Sequence, residues 1–232
     1  MTSLKISVFT GAIVALSLCL NNAASAALAI ELTTNGDFET GDFSGWEQFG
    51  TSGSPTPFGV AGPSDQQTIT TLNPNGGTFA ASIDNSLPFG NSLIRQANLA
   101  PGGQITPGQL VEIQFDARGS FAVPGGVAFA EFFTELDGGG TSSSLILGSG
   151  PLAINPDPEV WTTFNFTTAA GFDTAGGVTL QLGATTGPAG GTSIFYDNVS
   201  VSVASLVPLV PEPSSAVLLS LAGCGVLFRR RR

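Results

Sequence analysis

Four carboxylates of this 232-residue chain are spaced so that two of them could form the acid pair of a glycoside hydrolase. They are Glu112, Asp116, Glu131 and Glu135. Each alternates with apolar neighbours, so the pattern predicts that all four line the solvated faces of strands. The chain has no histidine and no G-x-S-x-G motif, which excludes the usual nucleophilic triads. We predict that the protein is not an enzyme.

The charge balance restricts the partners that the protein can bind. Seven lysines and arginines face 17 aspartates and glutamates, and four of the seven cations are the last four residues. Nucleic acid therefore meets no basic surface. Between residues 27 and 210 sixteen acids accompany only Arg95 and Arg118, which suits divalent cations or neutral glycans better than anionic polymers. Both cysteines, Cys19 and Cys224, lie outside this segment, so it has no disulfide.

The first 26 residues have the three parts of a secretory signal peptide. Lys5 makes the start positive, and an apolar stretch runs roughly from residue 6 to residue 20. Small residues at Ala24 and Ala26 form an A-x-A pattern, which predicts cleavage by signal peptidase before Ala27 and passage through the export machinery. The alternative is an uncleaved anchor, for which the stretch falls short of about 20 residues.

The C-terminal end combines three unlike features in order: a Pro-Glu-Pro motif, an apolar segment over 214–228 and an arginine cluster. As a helix the apolar segment reaches about 22 Å, whereas a hydrocarbon core is about 30 Å thick. It is therefore predicted to be a short transmembrane helix with cytoplasmic arginines. The motif and the cluster are Val210, Pro211, Glu212, Pro213, Arg229, Arg230, Arg231 and Arg232.

This order of features resembles the PEP-CTERM sorting signal, and the resemblance covers about the last 23 residues. It implies processing near Pro-Glu-Pro by an exosortase-type membrane protease of a Gram-negative bacterium. The protein would be anchored transiently in the inner membrane and then delivered to the cell surface or the extracellular matrix. A plain tail anchor is the alternative.

The segment between the two ends predicts a single all-β domain. Short alternating runs are separated by Gly, Pro, Asn and Ser, and no helical period appears. About ten short strands with frequent turns favour a β-sandwich. Trp46 and Trp161 are each predicted to pack in its core rather than to stack on sugars. The strand candidates are 27–32, 46–49, 68–71, 79–83, 111–118, 128–133, 145–147, 162–166, 178–182 and 193–203.

Three segments, 35–46, 161–167 and 196–201, resemble in order and separation the galactose-binding-like jelly rolls, especially carbohydrate-binding modules of families 4 and 9. The resemblance spans most of 31–203 and implies a jelly-roll fold. It also implies a structural calcium ion between Glu39 of the opening motif and Asp197 of the last strand, completed by backbone carbonyls. The alternative is two solvated carboxylates.

These observations together predict an exported surface or matrix protein that associates non-catalytically with extracellular polysaccharide. A structural surface protein without a defined ligand is the first alternative, and a carbohydrate-active enzyme or an ice-binding surface protein is less favoured. The predicted organisation is a signal peptide helix over 1–26, a β-sandwich over 27–203, a linker over 204–213, a transmembrane helix over 214–228 and the arginine cluster over 229–232.

Overall fold

A computed structural model describes residues 29–50, 67–86, 88–121 and 125–204. These residues belong to one compact unit, Ala29–Ala204. The predicted signal peptide, Pro-Glu-Pro motif, transmembrane segment and arginine cluster lie outside the described residues. Within the described ranges no helix has both the length and the apolar character needed to cross a membrane.

The described chain forms two antiparallel sheets, which confirms the predicted all-β sandwich. The first sheet has the order β3-β4-β11-β6-β9, with β1 also paired to β11, and the second has the order β2-β5-β10-β7-β8. The strands are β1 (Ala29–Glu31), β2 (Glu47–Gly50), β3 (Gln67–Thr70), β4 (Ala80–Asn85), β5 (Asn91–Leu99), β6 (Leu110–Phe121), β7 (Val127–Glu135), β8 (Thr141–Ile146), β9 (Thr162–Ala169), β10 (Gly177–Thr185) and β11 (Thr192–Ala204).

The core lies between the sheets, because alternate residues of each strand point inward and are apolar. From β6 these are Val111, Ile113, Phe115 and Ala117, the set that the alternation predicts, and all four are buried. Tyr196 of β11 crosses the core, and its hydroxyl donates to the carbonyl of Gly183 in β10 at 2.8 Å. Burial raises the pKa of this phenol well above its ordinary value, so the hydroxyl stays a donor.

Two sequence expectations fail in this sandwich. Strand β5 was not among the predicted strands, because its residues Asn-Ser-Leu-Ile-Arg-Gln-Ala-Asn-Leu show no clean alternation of apolar and polar types. Trp46 is in the core as predicted, at 7% exposure. Trp161 is not fully buried: it lies at the surface just before β9, where its indole donates to the carbonyl of Asn73.

Candidate functional site

The last strand brings two carboxylates together on the outer face of the first sheet. Asp197 of β11 and Asp116 of β6 are cross-strand partners, and they are 2% and 4% exposed. The prediction that Asp116 lines a solvated strand face is therefore wrong. Burial is possible because the 71–79 loop between β3 and β4 supplies hydrogen bonds to both carboxylates, and buried charges require such partners.

Amide groups of the loop and of β11 satisfy these two acids. Asn75 donates its backbone N–H to Asp197 Oδ2 at 2.8 Å and its side-chain amide to Asp116 Oδ2 at 2.7 Å. Asn198 also donates its side-chain amide to Asp116 Oδ2, at 2.9 Å, and Thr163 Oγ1 donates to Oδ1 at 2.5 Å. Asn198 takes a positive φ of 51° at a break in the β11–β6 register, which turns its side chain toward Asp116.

Glu39 reaches the same loop from the opening segment of the domain. Its Oε1 accepts the backbone N–H groups of Thr78 and Phe79 at 2.7 and 2.8 Å, and these bonds lower the pKa of its carboxyl. Gly77 comes immediately before them with a positive φ of 57°, and a Cβ there would lie 2.5 Å from Glu39 Cδ, so a side chain at this position would displace the carboxylate. The structure thus brings the predicted pair Glu39 and Asp197 to one short loop.

The opening segment is fixed by a buried aromatic pair. Trp46 donates its indole N–H to the carbonyl of Asn35 at 3.0 Å, and its ring lies 5.3 Å from that of Phe38. Phe38 itself has a positive φ of 55°, which non-glycine residues adopt rarely, so packing holds this turn. The turn places the exposed carboxylate of Glu39 within hydrogen-bonding distance of the loop.

Asp197 carries an unfavourable charge in this arrangement. Burial raises the pKa of its carboxyl to about 6; the amides of Asn198 and Asn75 oppose the rise, and the charges of Asp116 and Glu39 add to it. The donor chemistry suits calcium, which takes carboxylate and carbonyl oxygens. Among the described residues no group of three or more acids stands close enough to hold a metal ion, so backbone carbonyls would have to complete the set.

A second group of polar residues crosses the outer face of the other sheet. Glu47, Arg95, Gln181 and Glu131 are successive cross-strand partners on β2, β5, β10 and β7. We call them the Gln181 row. At about 4.8 Å between strands, the row is about 14 Å long. Arg95 pairs with Glu47 at 2.7 Å, and its guanidinium lies 4.4 Å from the ring centre of Phe49.

The centre of the Gln181 row has little contact with solvent and no protein partner among the described residues. Gln181 is 8% exposed, and within the described residues its side-chain amide makes no hydrogen bond. Burial raises the pKa of the neighbouring Glu131, which likewise has no hydrogen-bonding partner there. Glu131 is half-buried, so the prediction that it lines a solvated face is wrong in degree.

Aromatic rings border the Gln181 row on both sides. Phe49, Leu93, Gly183 and Phe129 are cross-strand partners in the neighbouring row, and Phe133 follows on the other side of Glu131. Phe129 lies over Gly183, where a Cβ would stand 2.5 Å from the ring. The glycine therefore lets the ring lie across the sheet. The result is a polar strip between apolar walls.

Sequence reasoning did not predict the Gln181 row. Gln181 lies in β10 between Leu180 and Leu182, and a polar residue between two apolar ones predicts an ordinary solvent-exposed position on a strand. Arg95 and Glu47 lie on strands too short or too irregular to give a pattern. The one available signal was that Arg95 is one of only two cations between residues 27 and 210.

Comparison with known proteins identifies the fold. No protein-family model matches the sequence, and no characterised protein matches it by sequence. Among solved structures, the CBM22-1 xylan-binding domain of Xyn10C from Paenibacillus barcinonensis has a TM-score of 0.51 at 10% identity, covering 79% of this chain and 100% of that one. The predicted jelly-roll fold is therefore confirmed.

Two other similar structures are not described as carbohydrate-binding modules. The Stig cyclase Fisc from Fischerella sp. TAU has a TM-score of 0.51 at 16% identity, covering 76% of this chain and 98% of that one. The enzymatically active domain of tailspike protein 4 from bacteriophage CBA120 has a TM-score of 0.50 at 14% identity, covering 75% of this chain and 21% of that one. The chain thus spans about a fifth of the tailspike, and these identities establish the fold alone.

We predict that the domain becomes more stable as the pH falls from 7 to 5 in calcium-free buffer. The folded-state pKa of Asp197, about 6, lies above its unfolded value of about 3.9. The domain therefore loses folding stability as the pH rises from 5 to 7 and this carboxyl becomes charged. A gain of about 3 °C or more in Tm is expected, since 1 kcal/mol corresponds to roughly 2–4 °C for a domain of this size.

Asp197→Asn serves as the matched variant and should show a much smaller change in Tm over the same range, because its amide does not titrate and only the weaker effect of Glu131 remains. Thermal unfolding followed by circular dichroism gives both curves. A wild-type Tm that is lower at pH 5 than at pH 7 would contradict the raised pKa of Asp197.

Proposed function

We propose that the protein is an exported surface or matrix component that associates non-catalytically with neutral polysaccharide through the Gln181 row. The observation that carries the proposal is the nearly buried side-chain amide of Gln181, which has no partner in the described part of the chain. The amide keeps a small contact with solvent, so its donor and acceptor are accessible to a ligand. A sugar hydroxyl both donates and accepts, so one hydroxyl could satisfy Gln181 and the adjacent Glu131.

The surroundings of Gln181 favour a neutral glycan over other ligands. The three rings of Phe49, Phe129 and Phe133 offer apolar surface on either side of the polar strip, as sugar rings with apolar faces require. The acids outnumber the cations heavily, so an anionic polymer is repelled. The similarity of fold to a xylan-binding domain supports the proposal at the level of architecture.

Two arrangements of acids support a non-catalytic role. Glu47 and Glu131 are the carboxylates of the Gln181 row, and three strand spacings separate them by about 14 Å. Glycosidases hold their two acids about 5–9.5 Å apart. Asp116 and Asp197 are closer, but amide groups cover them and Thr163 bonds Asp116. Neither arrangement favours the acid pair of a glycosidase.

We predict that Gln181→Ala lowers the affinity for polysaccharide about tenfold, the effect of losing roughly 1.4 kcal/mol of hydrogen bonding. Affinity electrophoresis of the purified full chain through gels containing xylan, or the extracellular polysaccharide of the source organism, measures the retardation. Gln104→Ala is the control, because Gln104 is exposed in the loop between β5 and β6. Equal retardation of wild type and Gln181→Ala would reject the row as the binding site.

We also propose that calcium binds between Glu39 and Asp197 as a structural ion. Both acids lie against the 71–79 loop. Burial raises the pKa of Asp197 most and the charges of Asp116 and Glu39 add to the rise, so a divalent cation would relieve their repulsion. The ion would join the first and last parts of the domain, a connection that other small exported domains make with a disulfide.

Calcium should raise the Tm of the wild-type protein by several degrees and EDTA should remove the gain, as ligand binding to the folded state requires. Glu39→Gln should abolish the response, because it keeps the acceptor oxygen for Thr78 and Phe79 but removes the charge. Glu112→Gln, on an exposed carboxylate of β6, should respond as the wild type does. A wild-type Tm that is the same in calcium and in EDTA rejects the ion.

We further propose that exosortase-type processing near Pro-Glu-Pro delivers the domain to the cell surface or matrix. The proposal rests on the order of the motif, the apolar segment and the four arginines in the sequence. Replacing Arg229–Arg232 by glutamine should leave an uncut, membrane-retained form, seen as a larger band on immunoblots of cell fractions. The same mobility and the same surface fraction as wild type would contradict this role for the arginines.

A structural protein without a ligand is the second candidate, and the glycan measurement separates it from the first. An ice-binding role has less support, because the Thr and Ser side chains of the described strands form no regular Thr-x-Thr ladder.

A further inference from the structure

The outer face of the first sheet holds a second polar site, beyond the amide-covered acids. It is a pocket of about 150 Å³ bounded by β6, β9 and β11. Its side chains are those of Glu112, Gln114, Asn165, Thr167, Ser200 and Ser202, and we call it the Gln114 pocket. It lies on the opposite side of the sandwich from the Gln181 row, because the pocket is on the first sheet and the Gln181 row is on the second.

Strand register arranges the Gln114 pocket in two rows. Ser200, Gln114 and Asn165 are successive cross-strand partners on β11, β6 and β9. Ser202 and Glu112, with Thr167, form the next row in the same way. Facing side chains in such rows stand about 5 Å apart, so a bound molecule could meet several of them at once.

Most hydrogen-bonding side chains of this pocket make no bond to the described protein, unlike those nearby on the same face. One register step away, Asp116 bonds Asn75, Asn198 and Thr163, so its acceptors are in use. In contrast, the side chains of Gln114 and Asn165 make no hydrogen bond within the described residues. The same holds for Glu112, Thr167 and Ser202, whereas Ser200 donates to Glu31.

We propose that the Gln114 pocket is a second binding site for neutral, polyhydroxylated chains, so that one domain can bridge two polysaccharide strands. The ligand class rests on the function proposed for the Gln181 row, but the site rests on its own geometry. Two amides and two free hydroxyls supply both donors and acceptors, which matches sugar hydroxyl groups. Ile113 is buried in the core and Phe166 is half-buried against it, so most of the groups that the pocket presents are polar.

The charge of the pocket also favours a neutral chain over a metal ion or an anionic chain as its ligand. Glu112 is its one free carboxylate, because Glu31 is held by Ser200, Thr33 and Val201. A single exposed carboxylate is too few for calcium, which takes 6–8 oxygen ligands. Anionic chains would meet Glu112 and no cation within the pocket.

Side-chain amide signals in nuclear magnetic resonance spectra report on the two sites separately. We would titrate the ¹⁵N-labelled full chain, in a detergent without sugar groups, with xylohexaose as the neutral probe. Gln114→Ala, Asn165→Ala and Gln181→Ala assign the three NH₂ signals by their disappearance. A polygalacturonate oligomer of equal length is the anionic control. The proposal expects saturable shifts at Gln114 and Asn165 with the neutral probe and none with the anionic one.

The four outcomes distinguish this proposal from the function proposed above. Shifts at all three amides support both sites. Shifts at Gln181 alone overturn the second site and keep the first, and shifts at Gln114 and Asn165 alone do the reverse. No shift at any amide, with the probe in millimolar excess, overturns both.

Bridging has its own measurement. The wild-type full chain should precipitate xylan at an intermediate protein-to-polymer ratio, whereas Gln181→Ala and the double variant Gln114→Ala with Asn165→Ala should each lose about tenfold or more of the turbidity. The double variant should still be retarded in xylan gels, because the Gln181 row is intact. Precipitation by the double variant at the wild-type level would overturn bridging.

Discussion

The position of β11 at the centre of the first sheet is the constraint on which the rest of the domain depends. This last strand pairs with β6 along most of its length, with β4 over its first five residues and with β1 over its last three. The domain therefore cannot be complete until its final residues are in place. The register break after Asp197 lets Asn198 point its amide at Asp116, so the central pairing also builds the covered acid cluster.

Polar groups on the outer faces of the sandwich are satisfied in two different ways. Near the 71–79 loop, backbone and side-chain amides use the acceptors of Asp116 and Asp197 internally, which makes that region part of the architecture. At Gln181 and Gln114 the amides remain free, one nearly buried and one exposed. Gln181 has less contact with water than Gln114 has, so a ligand at Gln181 would displace fewer water contacts of the amide.

Period-two alternation was enough to predict the sandwich, and it located β6, β9 and β11 closely, because their inward residues are apolar and their outward ones polar. It failed for β5, whose inward positions include Ser92 and Gln96. It also failed for Asp116, since alternation specifies a face but not whether a distant loop covers that face. The Gln181 row was beyond its reach for the same reason: four residues on four strands become neighbours only through the sheet order.

Arg118 is buried between aromatic rings, with its guanidinium 3.9 Å from the ring centre of Phe195 and 5.2 Å from that of Trp161. Its N–H groups donate to the backbone carbonyls of Leu72 and Pro158, so this cation is buried and contributes no positive charge at the surface. Arg95 is the other cation of the domain, and Glu47 neutralises it. Neighbouring copies on one polymer would therefore present almost unmixed negative charge to each other. Their repulsion acts over about 8–10 Å at moderate ionic strength, which would space the copies apart in dilute salt and let them crowd in brine.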